Sequence, residues 1–238
     1  MKAVVLQSNY IPWKGYFDLI NEADTFIFYD EVKYTKNDWR NRNKLLDKND
    51  EFWLTIPISK LAVKQKISEV ALPNNGWQID HYNTIMATYH NAPEKINLQP
   101  LLKQIYIENS WHYLSELNQY IIKAIARYIG LKTKFIQSAD YNLNGDKISR
   151  LISLIEQVGA TEYITGPAAK NYLKDSESLF YNRNIKLTYK EYGPYKTYPQ
   201  NKYGFTNFVS IIDLLMSVKK DHIIQYLNNL NSGRDSVQ

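Results

Sequence analysis

Residues 2–30 read KAVVLQSNYIPWKGYFDLINEADTFIFYD, and this stretch decides the fold. Residues 2–7 contain an apolar run that does not alternate with polar side chains, which predicts a short buried strand. A glycine-containing turn follows, and residues 16–23 then have the apolar spacing of an amphipathic helix. Residues 25–29 predict a second buried strand. This order is that of a βαβ unit, whose two strands pair in parallel through a right-handed crossover.

The rest of the chain continues the alternation of strands and helices. Further strands are predicted at residues 52–58, 65–72, 134–138, 163–165 and 185–189, the second of these more weakly. Helices are predicted at residues 79–89, 101–107, 111–129, 146–158 and 208–216. We therefore expect an α/β protein with a mainly parallel, Rossmann-like sheet. A helical insertion is expected at residues 77–130, packed on a core of residues 1–76 and 131–238, and a single domain fits the pattern equally well.

The composition restricts the class of protein and the kinds of site. The chain has 238 residues, of which 44% are hydrophobic, and this is enough to form a sizeable core. It contains no cysteine, which excludes a disulfide framework, a thiolate nucleophile and a cysteine-ligated metal. The first apolar run is too short for a signal peptide, and no stretch is long enough to span a bilayer. We therefore expect a cytoplasmic protein without a membrane partner.

The charge of the chain slightly favours an anionic ligand. Lys and Arg number 29 against 24 Asp and Glu, so the formal net charge is +5. The lysines are mixed with acidic residues rather than gathered in a dense stripe, so nucleic acid is an allowed but not a favoured partner. The histidines show no metal-ligand spacing, and no metal site is expected. The P-loop, the Gly-x-Gly-x-x-Gly motif and the Gly-x-Ser-x-Gly motif are absent.

The polar segment NDWRNRNKL, residues 37–45, follows the second predicted strand, and ligands of parallel sheets bind beyond the carboxyl ends of strands. We expect no strand or helix in it. Arg40 and Arg42 alternate about Asn41, so in an extended segment both guanidinium groups face one side and can hold a diphosphate or a carboxylate bidentately. The alternative is a solvated loop with capping asparagines. The candidate binding residues in and before this segment are Tyr34, Lys36, Trp39, Arg40, Asn41 and Arg42.

Two residues are candidates for catalysis. Asp30 follows the second strand at the expected mouth of a site, where a carboxylate acts as a base, binds a metal or caps the next turn. His81 lies on a predicted helix and is a candidate base, although a lone histidine there is more often a packed or surface side chain.

A polar aromatic loop precedes the last predicted helix. Such a loop can stack a sugar or a base, or can pack on the body of the protein. Its candidate binding residues are Tyr195 and Gln200, and Tyr203 lies in the same loop. Residues 165–170 again combine a strand end, a turn and a helix start, a geometry that favours anions, although Pro167 at the helix start also explains it structurally.

Three longer segments resemble the WbqC-like family of bacterial proteins. They are LQSNYIPWKGYFDLINEADTFIFYDEVKYTKNDWRNRN (residues 6–43), TGPAAKNYL (residues 165–173) and YGPYKTYPQNKYGFTNFVSIIDLLMS (residues 192–217). The resemblance extends over essentially the whole chain. It implies an association with O-antigen and other surface-polysaccharide gene clusters, and a suggested transfer of an amino acid, glycine, to an amino sugar.

The segment YIPWKGY, residues 10–16, is similar to the loop of HIGH-type nucleotidyltransferases and of pantoate–β-alanine ligases. That resemblance implies a nucleotidyltransferase-like fold in which glycine lets a nucleotide approach the backbone. The histidines of that loop are missing here, and Trp13 and Tyr16 stand in their neighbourhood. Positive charge is then expected from Lys14, or from Arg40 and Arg42. The candidate binding residues of this loop are Tyr10, Trp13, Lys14 and Gly15.

The expected function is transfer of an acyl group, aminoacyl and in particular glycyl, to a nucleotide-linked amino sugar in surface-polysaccharide biosynthesis. A protein without cysteine cannot hold the acyl group as a thioester. Activation therefore comes from ATP in this site, as in an amide ligase, or the donor arrives as an aminoacyl-tRNA or a carrier thioester. ATP is thus a candidate cofactor. The alternative is a non-catalytic protein that binds a nucleotide sugar or RNA.

Overall fold

The computed structural model describes residues 1–48, 50–200, 204–228 and 230, so Tyr203 lies outside the described residues. The strands are β1 (Lys2–Leu6), β2 (Thr25–Phe28), β3 (Arg42–Leu46), β4 (Glu51–Thr55), β5 (Lys134–Gln137), β6 (Glu162–Thr165) and β7 (Lys186–Tyr189). The α-helices are α1 (Lys14–Glu22), α2 (Trp77–Thr88), α3 (Lys95–Lys103), α4 (Leu114–Tyr128), α5 (Lys147–Gln157), α6 (Lys170–Leu173), α7 (Glu177–Tyr181), α8 (Ile211–Ser217) and α9 (Ile224–Leu227).

The central sheet confirms the predicted α/β class. Within the described residues it has five parallel strands in the order β5-β2-β1-β6-β7. β1 pairs with β2 in the register Val4↔Phe26 and with β6 in the register Val4↔Ile164. The first two strands therefore lie side by side and parallel, as the pattern of residues 2–30 predicts.

Apolar side chains cover both faces of this sheet, which is why its strands show continuous apolar runs. Val4 and Phe26 belong to a buried cluster that includes side chains of α1 and α4. Val5 and Ile27 point to the opposite face and belong to a second cluster with side chains of α5. The alternation of strand side chains between two helical layers makes this a doubly wound sheet.

The strand order reverses between β1 and β6. From β1 the chain moves outward to β2 and then to β5, returns across the sheet to β6, and moves outward in the other direction to β7. Connections therefore leave the carboxyl ends of β1 and β6 toward opposite sides. In open parallel sheets this switch point leaves a crevice in which ligands bind.

The helices of residues 77–130 share one continuous apolar cluster with the sheet. Leu98 of α3 and Ile121 of α4 are fully buried in the same cluster as Phe26 of β2. α4 ends shortly before β5, so it has the position of the helix that crosses from β2 to β5. The hairpin of β3 and β4 and the helices α2 and α3 are inserted ahead of it.

Two local predictions are wrong. The weak strand expected at residues 65–72 is absent, and a turn of 3-10 helix, Ile67–Glu69, occupies its centre. The segment at residues 37–45, for which no strand was expected, contributes most of β3, which pairs antiparallel with β4. Its inward position at Asn43 is polar rather than apolar, and the Asn43 amide is satisfied by the carbonyls of Tyr10 and Ile11 at 3.2 and 3.0 Å.

Candidate functional site

The crevice at the switch point is a cavity of about 550 Å³. We call it the switch-point crevice. It lies beyond the carboxyl ends of β1, β2 and β6, where parallel sheets bind ligands. The lining residues that bear on its chemistry are Gln7, Tyr29, Lys33, Asp38, Arg40, Lys147, Tyr163, Thr165, Gly166 and Tyr172.

Arg40 is one of the cations that line this crevice. Its guanidinium donates to the side-chain oxygen of Asn9 and, at 3.0 Å, to that of Gln7, both in the loop that follows β1. The backbone carbonyl of Arg40 accepts a hydrogen bond of 2.8 Å from the amide of Asn118 on α4. The guanidinium is therefore held in place through hydrogen bonds of both the Arg40 side chain and the Arg40 backbone.

Asp38 lies beside Arg40, with 3.8 Å between a guanidinium nitrogen and a carboxylate oxygen. Burial acts to raise the pKa of Asp38, but hydrogen bonds from Thr35 and from the Trp39 N–H, together with the charge of Arg40, lower that pKa overall. Lys33 and Lys147 add two further cations to the lining. Positive charge thus exceeds negative charge in the crevice, and anions are favoured there.

The wall formed by β6 and the segment after it carries hydroxyl groups. The Tyr163 hydroxyl donates to the Thr165 hydroxyl at 3.2 Å, and Tyr172 stands next to them in the same lining. The amine of Lys147 lies 3.5 Å from the centre of the Tyr172 ring, which is cation–π geometry. This wall offers donors and acceptors to a polar, hydroxyl-bearing ligand.

A second cavity, of about 490 Å³, includes in its lining Asn9, the residue that accepts a hydrogen bond from Arg40. We call it the aromatic cleft. It is lined by Asn9, Pro12, Trp13, Trp39, Asn43, Lys44 and Phe208. The Trp13 and Phe208 rings are 5.8 Å apart between centroids and tilted by 31°. The Trp39 side chain is 43% exposed and that of Phe208 is 67% exposed, so both rings are open to a ligand.

Trp13 explains why glycine is needed at position 15. A Cβ atom added to Gly15 would lie 2.3 Å from an atom of the Trp13 indole, far inside contact distance. The space above this glycine is therefore taken by Trp13 itself, whereas the similarity to nucleotidyltransferases implied a nucleotide there.

Lys14 lines neither cavity, and its amine lies in a cage of aromatic rings. Its amine is 4.8 Å from the centre of the Tyr195 ring, 5.3 Å from Tyr198 and 5.1 Å from Phe205. Burial lowers the pKa of Lys14 to about 8, and the charge of Asp213 partly opposes this. The amine makes no hydrogen bond within the described part of the chain.

Tyr195 and Gln200 serve the packing of the loop that precedes α8. The Tyr195 hydroxyl donates to Asp18 at 2.7 Å, and the Gln200 amide donates to Asp213 at 2.7 Å. Neither lines the switch-point crevice or the aromatic cleft. The geometry gives both a structural role, and their predicted contact with a ligand stays a prediction.

Asp30 is only 1% exposed and joins two elements. One carboxylate oxygen accepts a hydrogen bond of 2.8 Å from the Ser8 N–H, in the loop after β1. The other accepts from the Ser115 hydroxyl and, at 3.0 Å, from the Gln119 amide, both on α4. Both oxygens are used inside the protein, which is the geometry of a tether rather than of an exposed base.

His81 is part of a buried chain of hydrogen bonds. Its Nε2 is 3.2 Å from the Thr55 carbonyl, which can only accept, so Nε2 carries the proton. Nδ1 then accepts from the Tyr10 hydroxyl at 2.7 Å, and this hydroxyl accepts from that of Tyr106 at 2.7 Å. Burial lowers the pKa of His81 to about 4. The geometry describes a neutral structural histidine outside the lining of the crevice.

The two arginines predicted to act together lie against different cavities, so the expectation that they face one side is wrong. Arg42 lines a smaller cavity of about 250 Å³, and its guanidinium carbon is 4.2 Å from the centre of the Trp53 ring. Arg40 lies in a turn before β3 rather than in the strand, so the alternation of an extended segment does not include it. The predicted residues that line the smaller cavity with Arg42 are Tyr34, Lys36 and Asn41.

Several residues of the two cavities were not predicted. Gln7 and Asn9 follow β1, and Phe208 lies just before α8. The rule that sites lie at strand ends would have selected Gln7 and Asn9. Lys147 and Phe208 carry no local signal, because they come to the site only through long-range packing.

Within the described residues, no helix combines the length and the apolar character needed to cross a bilayer. In the same part of the chain, no group of three or more His, Cys, Asp or Glu side chains is arranged to hold a metal ion.

Comparison with known proteins gives a family and a relative. The model of the WbqC-like protein family matches residues 7–225. The uncharacterized protein Rv1507c of Mycobacterium tuberculosis is 40% identical over 218 residues, which are 91% of this chain and 94% of that protein. No solved structure matches the chain.

Proposed function

The chain belongs to the WbqC-like protein family, and from its two cavities we propose that it is a transferase that acts on a nucleotide-linked amino sugar. The observation that carries this proposal is the fixed guanidinium of Arg40 at the switch point of a doubly wound sheet. Guanidinium groups bind diphosphates well, and Lys33 and Lys147 add charge around it. The hydroxyl groups of the β6 wall suit a sugar.

The proposed reaction is acyl transfer, with an amino acid such as glycine as the acyl group. The amine nitrogen of the sugar attacks the activated carbonyl carbon, a C–N bond forms, and the bond from that carbon to the leaving group breaks. The amine gives up a proton to water or to a base of the donor complex. The chain contains no cysteine that could hold the acyl group as a thioester. The acyl group is therefore activated by ATP in this site or arrives on an external carrier.

Binding comes first among the tests. Titration calorimetry of the purified protein with UDP-, dTDP- and GDP-linked hexosamines is expected to give saturable binding for at least one of them. Orthophosphate is the matched control, since it offers an anion without sugar or base. If none of the nucleotide sugars binds more tightly than orthophosphate, the proposal fails.

Catalysis is tested with the nucleotide sugar that binds. The protein is incubated with that compound, glycine and ATP, and pyrophosphate release and an increase in product mass are measured. Pyrophosphate release with product indicates activation by ATP in this site. Product formed only with an aminoacyl-tRNA or carrier thioester indicates an external donor. Tight binding without product from any donor indicates the non-catalytic alternative.

A further inference from the structure

One hydrogen-bonded pair contributes a residue to each of the two cavities. Arg40 lines the switch-point crevice, and Asn9, which accepts its hydrogen bond, lines the aromatic cleft. A nucleotide sugar has the matching order of parts, with a diphosphate between a flat base and a hydroxyl-bearing ring. We propose that the aromatic cleft binds the nucleobase, with the diphosphate at Arg40 and the sugar in the switch-point crevice. This inference rests on the proposed function.

The polar groups of the aromatic cleft are largely used by the protein. The Asn43 amide nitrogen donates to backbone carbonyls and its oxygen accepts from the Lys44 N–H at 2.8 Å. The Lys44 amine is paired with Glu51 at 2.7 Å, and the Asn9 oxygen accepts from Arg40. A sugar ring buried there would leave hydroxyl groups without partners, which is costly. A planar base needs few partners and stacks on aromatic faces.

The crevice offers the opposite chemistry. Its β6 wall includes the hydroxyl groups of Thr165 and Tyr172 and the buried hydroxyl of Tyr163, which donates to Thr165, and the Gln7 side chain also lines the crevice. A pyranose ring finds there both donors and acceptors for its hydroxyl groups. The difference between the two linings therefore favours the base in the aromatic cleft and the sugar in the switch-point crevice.

Backbone hydrogen bonds join the segments of the chain that form the aromatic cleft. The Tyr10 N–H donates to the Trp39 carbonyl at 3.0 Å, and the Ser210 N–H donates to the Lys44 carbonyl at 2.8 Å. The Ile211 N–H donates to the Pro12 carbonyl at 2.9 Å. Rings fixed on such a frame lose little conformational entropy when a base stacks on them, so the cleft is suited to tight binding.

The test compares four probes on wild-type protein and on Phe208→Ala. The probes are the nucleotide sugar that binds the wild type, its nucleoside diphosphate, inorganic pyrophosphate and the free hexosamine. The Phe208 ring is largely exposed, so its removal is expected to leave the melting temperature unchanged. Tyr181→Ala is the matched control, because Tyr181 is 82% exposed and lines neither cavity.

Phe208→Ala is expected to lower the affinities for the nucleoside diphosphate and for the nucleotide sugar by the same factor, about fivefold or more. The affinity for pyrophosphate should stay unchanged. Trp39→Ala is expected to give the same pattern, and Tyr181→Ala to give none of it. Loss of affinity for the nucleotide sugar or the free hexosamine without loss for the nucleoside diphosphate puts the sugar in the cleft and overturns the inference. Unchanged affinity for all probes in both variants also overturns it while the proposed function stands. Absence of nucleotide-sugar binding in the wild type overturns both.

Discussion

Two arginines that stand two positions apart in the sequence have different surroundings in the fold. Arg40 is fixed by Gln7 and Asn9 and lines the switch-point crevice. Arg42 stacks over Trp53 and donates to the carbonyl of Asn37. Their shared chemistry therefore gives no shared function, because the turn at Arg40 ends before β3 begins.

Lysine substitutions distinguish the role of Arg40 from that of Arg42. Lysine keeps the charge but loses the planar pair of donors that suits a diphosphate. Arg40→Lys is expected to weaken binding of the nucleotide sugar about tenfold or more, which corresponds to about 1.4 kcal/mol, measured by titration calorimetry. Arg42→Lys is expected to change it by less than about twofold, because Arg42 lines another cavity.

Arg183→Lys is the matched control for these variants, since Arg183 is paired with Glu156 in an exposed ion pair. An equal loss of affinity in Arg40→Lys and Arg42→Lys would contradict the separation of the two arginines. An unchanged affinity in Arg40→Lys would remove Arg40 from the site.

The lowered pKa of His81 predicts that the folding stability of the protein decreases at acidic pH. Burial lowers its pKa to about 4, whereas an unfolded histidine has a pKa near 6.5. Below pH 6.5 the unfolded chain binds a proton that the folded chain does not, so stability falls as the pH falls toward 4. The loss attributable to His81 should reach on the order of 3 kcal/mol.

The measurement is urea unfolding of wild type, His81→Gln and His222→Gln from pH 7.5 to pH 4. The advantage of wild type over His81→Gln should shrink as the pH falls, while His222→Gln, an exposed position, should follow wild type throughout. A constant difference between wild type and His81→Gln would show that His81 does not titrate as its burial requires.

At the level of secondary-structure elements, Asp30 connects the loop after β1 to the helix α4. The loop carries Gln7 and Asn9, which hold Arg40, and α4 carries Asn118, which holds the Arg40 backbone. The buried carboxylate of Asp30 therefore fixes the distance between the two elements that position the guanidinium.

Asp30→Asn is expected to destabilise the protein by about 2 to 4 kcal/mol, because an amide donor then faces donors of the loop or of α4. The free energy of unfolding is measured by urea denaturation. A double-mutant cycle with Ser115→Ala should give a coupling of about 1 kcal/mol or more. Thr35→Ala, at an exposed position whose hydroxyl bonds Asp38 and not Asp30, serves as the control for the cycle and should show no coupling to Asp30.

The sequence predicts well those elements whose pattern is contained in their own residues. β1, β2 and β6 are buried on both faces, so continuous apolar runs identify them. The cap of α5 is also local, since Asp146 accepts from the N–H groups of Ile148 and Ser149. The sequence does not predict β3, because its inward-facing residue is the polar Asn43. The hydrogen bonds of the Asn43 amide are made by the backbone of a segment about thirty residues away.

At the scale of the whole molecule, the sequence predicts where the candidate site lies but not all the residues that line it. Strand ends indicate the mouth, and this rule points to Arg40 and Trp39. Phe208 and Lys147 reach the two cavities from distant parts of the chain, and nothing in their neighbourhoods marks them. The sequence also cannot separate the buried hydrogen bonds of His81 and Gln200 from ligand contacts, because a polar residue that satisfies a buried partner has the same local pattern as one that binds a ligand.

The net charge of +5 also allows RNA as a ligand, and salt dependence separates the two classes. Binding of a nucleotide sugar involves few phosphates, so its affinity should fall by about tenfold or less between about 50 and 200 mM salt. Single-stranded RNA that contacts six or more phosphates should lose on the order of a thousandfold over the same interval. Fluorescence anisotropy of both ligands measures this. Tighter, steeply salt-dependent binding of RNA would favour the RNA-binding alternative.

The pairing of β1 with β6 has a consequence for synthesis on the ribosome. β1 is made well before β6, its neighbour on one side, which lies about 160 residues later in the chain, and the aromatic cleft also needs Phe208. A nascent chain can close the β1–α1–β2 unit early, but it has neither cavity until most of the chain has emerged. Ligand present during translation can therefore occupy both cavities only in chains that already include Phe208.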